Sequence, residues 1–450
     1  MTDTGLLHSI DFGTTTSAII VTEPDGTRTE IADPAAPFGP PSIRTAICVQ
    51  RYGTLLVGAA AERSKMRFPG AYRAEFKPDF GDPTPTMLGG TAMTADDMAV
   101  HVLRFLREQA QAVVPGAPER VVVTIPVSWE AGRRALMRSV AGRAGYGDAV
   151  VELVPEPLAA MAYAFDQGGA PAERITTLVY DLGGGTFDCA VARGVGGWYE
   201  VLGEPGGLDD LGGGTLDRLL LGRLLADAAA AGAVGPPPAA ADDGEDAIRR
   251  RLTLQETCEH IKCVLSDQES CHSVLTEFTP LREVSVTRPE FEDLIRHLLD
   301  ETVGECGRLL ARLGLAWDDV DRVVPVGGSS RIPLVQNLLA RAGRATVLRI
   351  VDPELAVVRG AALLGRAALL DTAPRRVFVN GRAKVVNTSE IGFEELVKLA
   401  FEHPPAGAYV TFTVTYSRAA GERPQGSLTE GSHVRIQDGT IFNVTATDKS

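Results

Sequence analysis

Tyr180-Asp181-Leu182-Gly183-Gly184-Gly185-Thr186-Phe187-Asp188 sets an acid at the end of an apolar run, then three glycines, a hydroxyl and a second acid. The apolar stretches on either side, 176–180 and 187–193, predict two strands joined by this glycine turn. The same device occurs earlier as Ile10-Asp11-Phe12-Gly13-Thr14-Thr15, between strands predicted at 6–10 and 17–22. Glycines let the main chain approach an anion closely and form a nest of N–H donors. A carboxylate beside such a nest suits a hydrated divalent cation, and the threonine hydroxyls can follow a terminal phosphate. Two similar lobes facing one another would bring both turns to a single cleft.

Outward from these turns the chain alternates strands and helices, the mark of an α/β protein. The β-branched run at 121–125, stopped by Pro126, predicts a strand buried on both faces. Helices are predicted at about 130–144, 157–167, 253–265, after Pro333 and at about 353–370, with a further buried strand at 322–326. Residues 235–244 are rich in Pro, Ala and Asp and predict a loop between two helical segments. The organisation expected is lobe I at about 1–174, lobe II at about 175–350, a helix returning to lobe I at about 353–371, a linker at 372–376, and a separate unit at 377–450. That last unit predicts strands at 377–380, 384–386, 409–416, 434–436 and 441–445. Its helix, 393–401, has an apolar face of Phe393, Leu396, Val397 and Ala400.

Composition narrows the function classes. A length of 450 residues predicts about three structural units. The net charge of −14 argues against a nucleic-acid or anionic-membrane surface. No apolar run is long enough to span a bilayer, and the first residues lack the pattern of a signal peptide, so a cytoplasmic protein is expected. The six cysteines are scattered and form no disulfide framework. Cys258, His260, Cys263, Cys271 and His272 lack the spacing of a zinc site, and small buried cysteines are expected instead. Only six of the 44 basic residues are lysines, and none follows a glycine, which excludes a Walker A loop. A lysine in so arginine-rich a chain points to tasks that need a compact ammonium, and Lys77 and Lys262 are the candidates.

Five stretches together resemble the nucleotide-binding domain of the Hsp70 (DnaK-type) chaperones. They are residues 10–17, Val123-Thr124-Ile125-Pro126, Val154-Pro155-Glu156-Pro157, residues 180–188, and Val326-Gly327-Gly328-Ser329-Ser330-Arg331-Ile332-Pro333. The resemblance covers about residues 5–371 and implies a two-lobed actin-like ATPase fold of duplicated ribonuclease H-like lobes that binds ATP or ADP with Mg²⁺. It implies that Asp11 and Asp181 face the cation through water, with Glu156 and Asp188 nearby. Gly13, Thr14, Thr15, Gly183, Gly184, Gly185 and Thr186 would hold the phosphates, and Lys77 would touch the γ-phosphate and place the attacking water. Glu259, Lys262, Ser266, Gly327, Gly328, Ser329 and Arg331 would form the adenosine side, and Pro126 with Arg134 an interlobe switch. Three departures imply looser binding: Cys263 where an arginine stacks on the base, Thr16 where an aromatic is frequent, and Gly214-Thr215 in place of an acid on the adenosine side.

Residues 376–450 resemble a bacterial multi-ubiquitin-type domain through Val379-Asn380-Gly381-Arg382, Ile391-Gly392-Phe393-Glu394-Glu395-Leu396 and residues 439–447. This implies a ubiquitin-like β-grasp unit that docks on conjugation machinery or another protein partner. The end Thr447-Asp448-Lys449-Ser450 lacks the terminal glycine that conjugation needs. No peptide-binding module is visible. The expected activity is slow Mg²⁺-dependent ATP hydrolysis driving lobe closure. The alternatives are a non-hydrolysing, nucleotide-gated scaffold and a small-molecule kinase of the same superfamily.

Overall fold

The computed structural model describes residues 5–168, 174–195, 198–233, 244–369, 375–386, 388, 390–401, 410–420, 424–429 and 433–448. The loop expected at 235–244 and most of the linker expected at 372–376 lie outside the described residues. In the first sheet, β1 (Leu6–Phe12) runs antiparallel to β2 (Thr16–Thr22), and β2 antiparallel to β3 (Arg28–Glu30). On its other side β1 is parallel to β4 (Pro118–Ile125), which is parallel to β5 (Val150–Pro155).

The second sheet repeats this plan strand for strand. β6 (Ile175–Leu182) is antiparallel to β7 (Phe187–Val195), which is antiparallel to β8 (Trp198–Val201). β6 is also parallel to β9 (Arg322–Val326), and β9 to β10 (Thr346–Val347). The weak internal similarity between the two acid-glycine turns therefore marks a duplicated fold. In both halves the turn joins the two central antiparallel strands.

Helices cover both sheets. α1 (Ala95–Val113) and α2 (Ala131–Ala141) bury Met98, Leu103, Leu106, Met137 and Val140 against the first. α1 was not evident in the sequence, yet it has a complete capping box: Thr94 Oγ1 accepts from Asp97 N while the Asp97 carboxylate accepts from Thr94 N. α2 stops at Ala141, short of the predicted 144, because the chain widens into a turn through Gly145 at φ 104°. α3 (Glu156–Gly168) is considered below. α4 (Gly213–Ala230), α5 (Glu245–Asp267), α6 (Arg288–Arg312) and α7 (Pro333–Ala342) enclose the core of the second half.

α3 and α8 (Ala356–Leu369) lie between the two sheets and share one core with both. That core joins Leu7 and Val122 of the first sheet to Val179, Ala190 and Val324 of the second. The helices are built of small residues, Ala159 to Ala162 facing Ala356, Val357 and Ala361. A Cβ on Gly360 would stand 1.7 Å from the carbonyl oxygen of Ala159. The clash is with backbone, so it cannot be relieved by a rotamer change. Gly360→Val is expected to lower the melting temperature by about 5–10 °C, the effect of an overpacked contact of about 3 kcal/mol. An unchanged melting curve would show that the crossing is looser than this.

The C-terminal unit has a mixed five-stranded sheet. β11 (Arg375–Val379) pairs with β12 (Arg382–Val386) through an Asn380-Gly381 turn in which both residues have positive φ. β13 (Val410–Ser417) and β14 (Gly426–Leu428) follow, and β15 (Thr440–Asp448) lies between β11, to which it is parallel, and β13. α9 (Phe393–Ala400) packs Phe393, Leu396 and Val397 on the inner face against Val377, Phe442 and Val444. This is a β-grasp arrangement. Arg375 and Arg376 belong to β11 rather than to the expected linker, because Arg376 N is fixed by the Asp438 carboxylate at 2.7 Å.

Candidate functional site

Both glycine turns emerge from the ends of central strands, and the fold presses them together. A Cβ on Gly184 would lie 2.0 Å from Thr15 Oγ1, and one on Gly185 would lie 2.6 Å from Thr14 Oγ1. Only glycine permits this approach. The turns close the floor of a cleft of 510 Å³, a volume suited to a small-molecule ligand. Its walls include Asp11, Gly13, Thr14, Thr15, Lys77, Glu156, Asp181, Gly183, Gly184 and Thr186. Gly185 and Asp188 stand behind this surface.

Beneath the turns is an excess of buried acid. Glu156, Asp181 and Asp188 are all buried and Asp11 is half-buried, while the one cation among them is Lys77, itself 5% exposed. Lys77 Nζ donates to Glu156 Oε1 at 2.7 Å and sits 5.9 Å from the ring centres of Phe12 and Trp129. The sequence left open a solvated lysine at this position; burial on a short turn, Lys77–Asp79, removes that reading. Burial, and then the Glu156 charge, push Asp11, Asp181 and Asp188 above the usual carboxylate range. Burial opposes the charge on Lys77, but Glu156 and Asp11 outweigh it and hold its pKa above the ordinary value. Four carboxylates around one ammonium leave a net negative charge that a divalent cation would neutralise. Among the described residues no three acids, histidines or cysteines converge closely enough to ligate a metal directly.

The opposite end of the cleft is built from α5 and the turn after β9. Glu259, Lys262, Ser266, Gly327, Gly328, Ser329 and Arg331 all line it. Glu259 does not pair with Lys262, its neighbour on the helix. It accepts both guanidinium nitrogens of Arg44, 2.9 and 3.1 Å away, from the strand Ile43–Arg44 beside β2. Lys262 Nζ instead donates to Asp217 at 2.5 Å and to the Gly213 carbonyl at 3.2 Å. The acid expected to be missing from this wall thus has a counterpart, because α4 begins at Gly213 and its second turn carries Asp217 to Lys262. Ser329 Oγ donates to the Gly183 carbonyl at 2.9 Å, tying the two turns of the second half together. Arg331 is engaged by Glu354 at 2.8 Å, and Ser266 Oγ donates to the Lys262 carbonyl. Cys258 and Cys271 are buried, whereas Cys263 is exposed on the cleft wall and departs from the expectation.

Pro126 and Arg134 stand outside the cleft but one step from it. Arg134 Nε donates to the Trp129 carbonyl at 2.7 Å, Trp129 N donates to the Pro126 carbonyl, and the Val127 N–H holds the Asp188 carboxylate. Arg44, Thr124 and Asp217 are contributors that sequence reasoning missed. Thr124 Oγ1 donates to Asp11 at 2.7 Å from the neighbouring strand β4. The continuous apolar run around Thr124 gave one signal for it, since a hydroxyl there needs a partner.

A duplicated α/β fold with paired acid-glycine turns facing one cleft defines the two-lobed, actin-like ATPase class. Residues 78–376 match the family described as Hsp70 protein, and residues 375–448 match the one described as Multiubiquitin. The chain belongs to the Hsp70 family and carries a multiubiquitin domain at its C-terminal end. It is 31% identical over 268 residues to proteins named Chaperone protein HscA homolog from two strains of Acidithiobacillus ferrooxidans, a match covering 59% of this chain and 40% of theirs. It is 28% identical over 369 residues to Chaperone protein DnaK of Thermotoga neapolitana, covering 80% of this chain and 59% of that one. The chain therefore spans only about half the length of these relatives. No helix among the described residues is long and apolar enough to cross a membrane.

Proposed function

We propose that the chain binds ATP in the cleft with Mg²⁺ and hydrolyses it slowly, with closure of the two halves as the output. One observation carries this reading: two glycine turns in contact, above four carboxylates that share one lysine. Gly13, Thr14, Thr15, Gly183, Gly184, Gly185 and Thr186 would receive the phosphates through N–H and hydroxyl groups. The cation, when bound, neutralises phosphate charge. Asp11 and Asp181 would hold it through water. Lys77 presents its ammonium where the terminal phosphate would end, and Glu156 fixes that ammonium and its protons. Lys262, Glu259, Ser266 and the segment from Gly327 to Arg331 receive the adenosine. Arg44 and Glu259 clasp the mouth over it. The Pro126–Arg134 segment, bound to Asp188 through Val127, is placed to relay occupancy between the halves.

The division at about 371 belongs to this proposal, with lobes at about 1–174 and 175–350 and a β-grasp unit at 377–450. Separate hydrophobic cores for the two halves and for the C-terminal unit support it. The β-grasp unit acts as the docking or effector module, for ubiquitin-like machinery or another protein partner. Phosphate release from Mg·ATP tests the reading: Asp181→Asn should lower turnover at least about tenfold, since it removes a charge-assisted contact. Bound ATP with no turnover above that variant would establish the nucleotide-gated scaffold instead. Absence of Mg²⁺-dependent ATP binding would overturn both.

A further inference from the structure

We infer a second anion site, outside the cleft, where the second sheet meets the β-grasp unit. Two adjoining cavities of 230 and 330 Å³ lie there. Arg193 of β7 and Arg382 of β12 line both of them, and Arg174 and Lys384 add to the wall of the first. Among the described residues no carboxylate lines either cavity. In a chain with 58 acidic and 44 basic residues, this local sign runs against the whole.

Arg193 is half-buried and Arg382 exposed, and neither forms an ion pair with a described residue. Arg174 and Lys384 each have a partner of their own and are not counted as donors to the site. Leu202, Leu315 and Leu399 supply apolar walls, which strengthen the potential between like charges. The end of α9 reaches this groove at Leu399 and Ala400, and a helix C-terminus offers about half a negative charge. That cannot balance the guanidinium groups of Arg193 and Arg382, which have no ion-pair partner among the described residues. A gathered positive charge of this kind calls for an anion with several oxygens.

The guanidinium fork selects phosphate-class oxyanions, which it can grip with two parallel N–H bonds. Arg193 comes from the nucleotide module and Arg382 from the β-grasp unit, so one bound phosphate group would tie the two together. A phosphorylated metabolite and free pyrophosphate share this chemistry. The site does not depend on the reading of the cleft.

The test is calorimetric titration of the full chain with inorganic pyrophosphate, with Mg²⁺ and ADP equal and saturating, in wild type and in Arg193→Ala/Arg382→Ala. The expected result is binding that weakens about tenfold or more in the double variant, at unchanged melting temperature. Because the readout is the difference between the two proteins, it stands whether or not ADP fills the cleft. Arg382→Ala alone, at an exposed hairpin residue, is the second measurement if the double variant misfolds, with a loss of about threefold or more expected. Equal affinity in all proteins, or no binding to the wild type, overturns the site. A polyglutamate peptide that binds the wild type more tightly than pyrophosphate, and not the variant, would reassign the groove to an acidic protein and overturn the phosphate class. Equal affinity of a simple phosphate monoester would identify the metabolite source within the proposal.

Discussion

Lys77→Ala is expected to leave ATP affinity within a few-fold while lowering turnover by about 10²- to 10³-fold, the usual cost of removing one preorganised donor from a charge-developing site. The side chain is buried, its Nζ is held by Glu156 at 2.7 Å, and no other cation among the described residues stands among the four acids. Binding draws on many main-chain donors of the two turns, so one ammonium matters less to affinity than to the step in which charge moves. Lys77→Arg should not restore turnover. The ammonium sits over Phe12 and Trp129, and Trp129 is itself stacked on Phe80 at 4.7 Å, which leaves a compact group's space rather than a guanidinium's. Single-turnover phosphate release alongside equilibrium ATP binding separates the two effects. Unchanged turnover would remove Lys77 from the chemistry.

The second large effect concerns acid stability and arises at a residue that does not line the cleft. His8 is fully buried on β1, its Nδ1 3.1 Å from the Tyr146 hydroxyl and its Nε2 without a partner. Burial, and then the nearby Arg107, lower its pKa from 6.5 to about 4. The folded state therefore binds fewer protons than the unfolded one between these values. Stability contributed by the neutral ring is full above pH 6.5 and is lost as pH falls toward 4, amounting to about 3 kcal/mol. The raised carboxylates of the cleft act in the opposite sense over part of this range, so the comparison must be with a variant. In His8→Leu, unfolding free energy should fall less on acidification than in the wild type, the gap widening from pH 6.5 downward. Parallel profiles would show that His8 does not control the loss.

The turns and the strands that carry them were legible because glycine, acid and hydroxyl are adjacent in sequence, and local chemistry fixes local shape. The β-grasp unit was legible for the same reason, through Asn380-Gly381 and the apolar face of α9. What sequence reading missed depends on distance along the chain. Arg44 and Glu259 are 215 residues apart, and no local pattern marks either as the other's partner. Asp217 was missed because its neighbours Gly214 and Thr215 depart from the family pattern, whereas a helix starting at Gly213 brings an acid to Lys262 one turn later. Lys77 lies on a three-residue turn with no periodic signal of its own, and only the tertiary packing of Phe12, Phe80 and Trp129 shows it to be buried.

The repeated sheets also explain why two equivalent aspartates are not equivalent in character. Asp11 and Asp181 occupy matching places, but the neighbouring parallel strand offers Thr124 to the first and Val326 to the second. The Thr124 hydroxyl favours the ionised form of Asp11, while Asp181, pushed up by burial and then by the charges of Glu156, Asp188 and Asp11, has no such side-chain donor among the described residues. Duplication supplied two copies of one device, and the strand beside each turn set them apart, giving a fixed hydroxyl donor to the first aspartate and an apolar neighbour to the second.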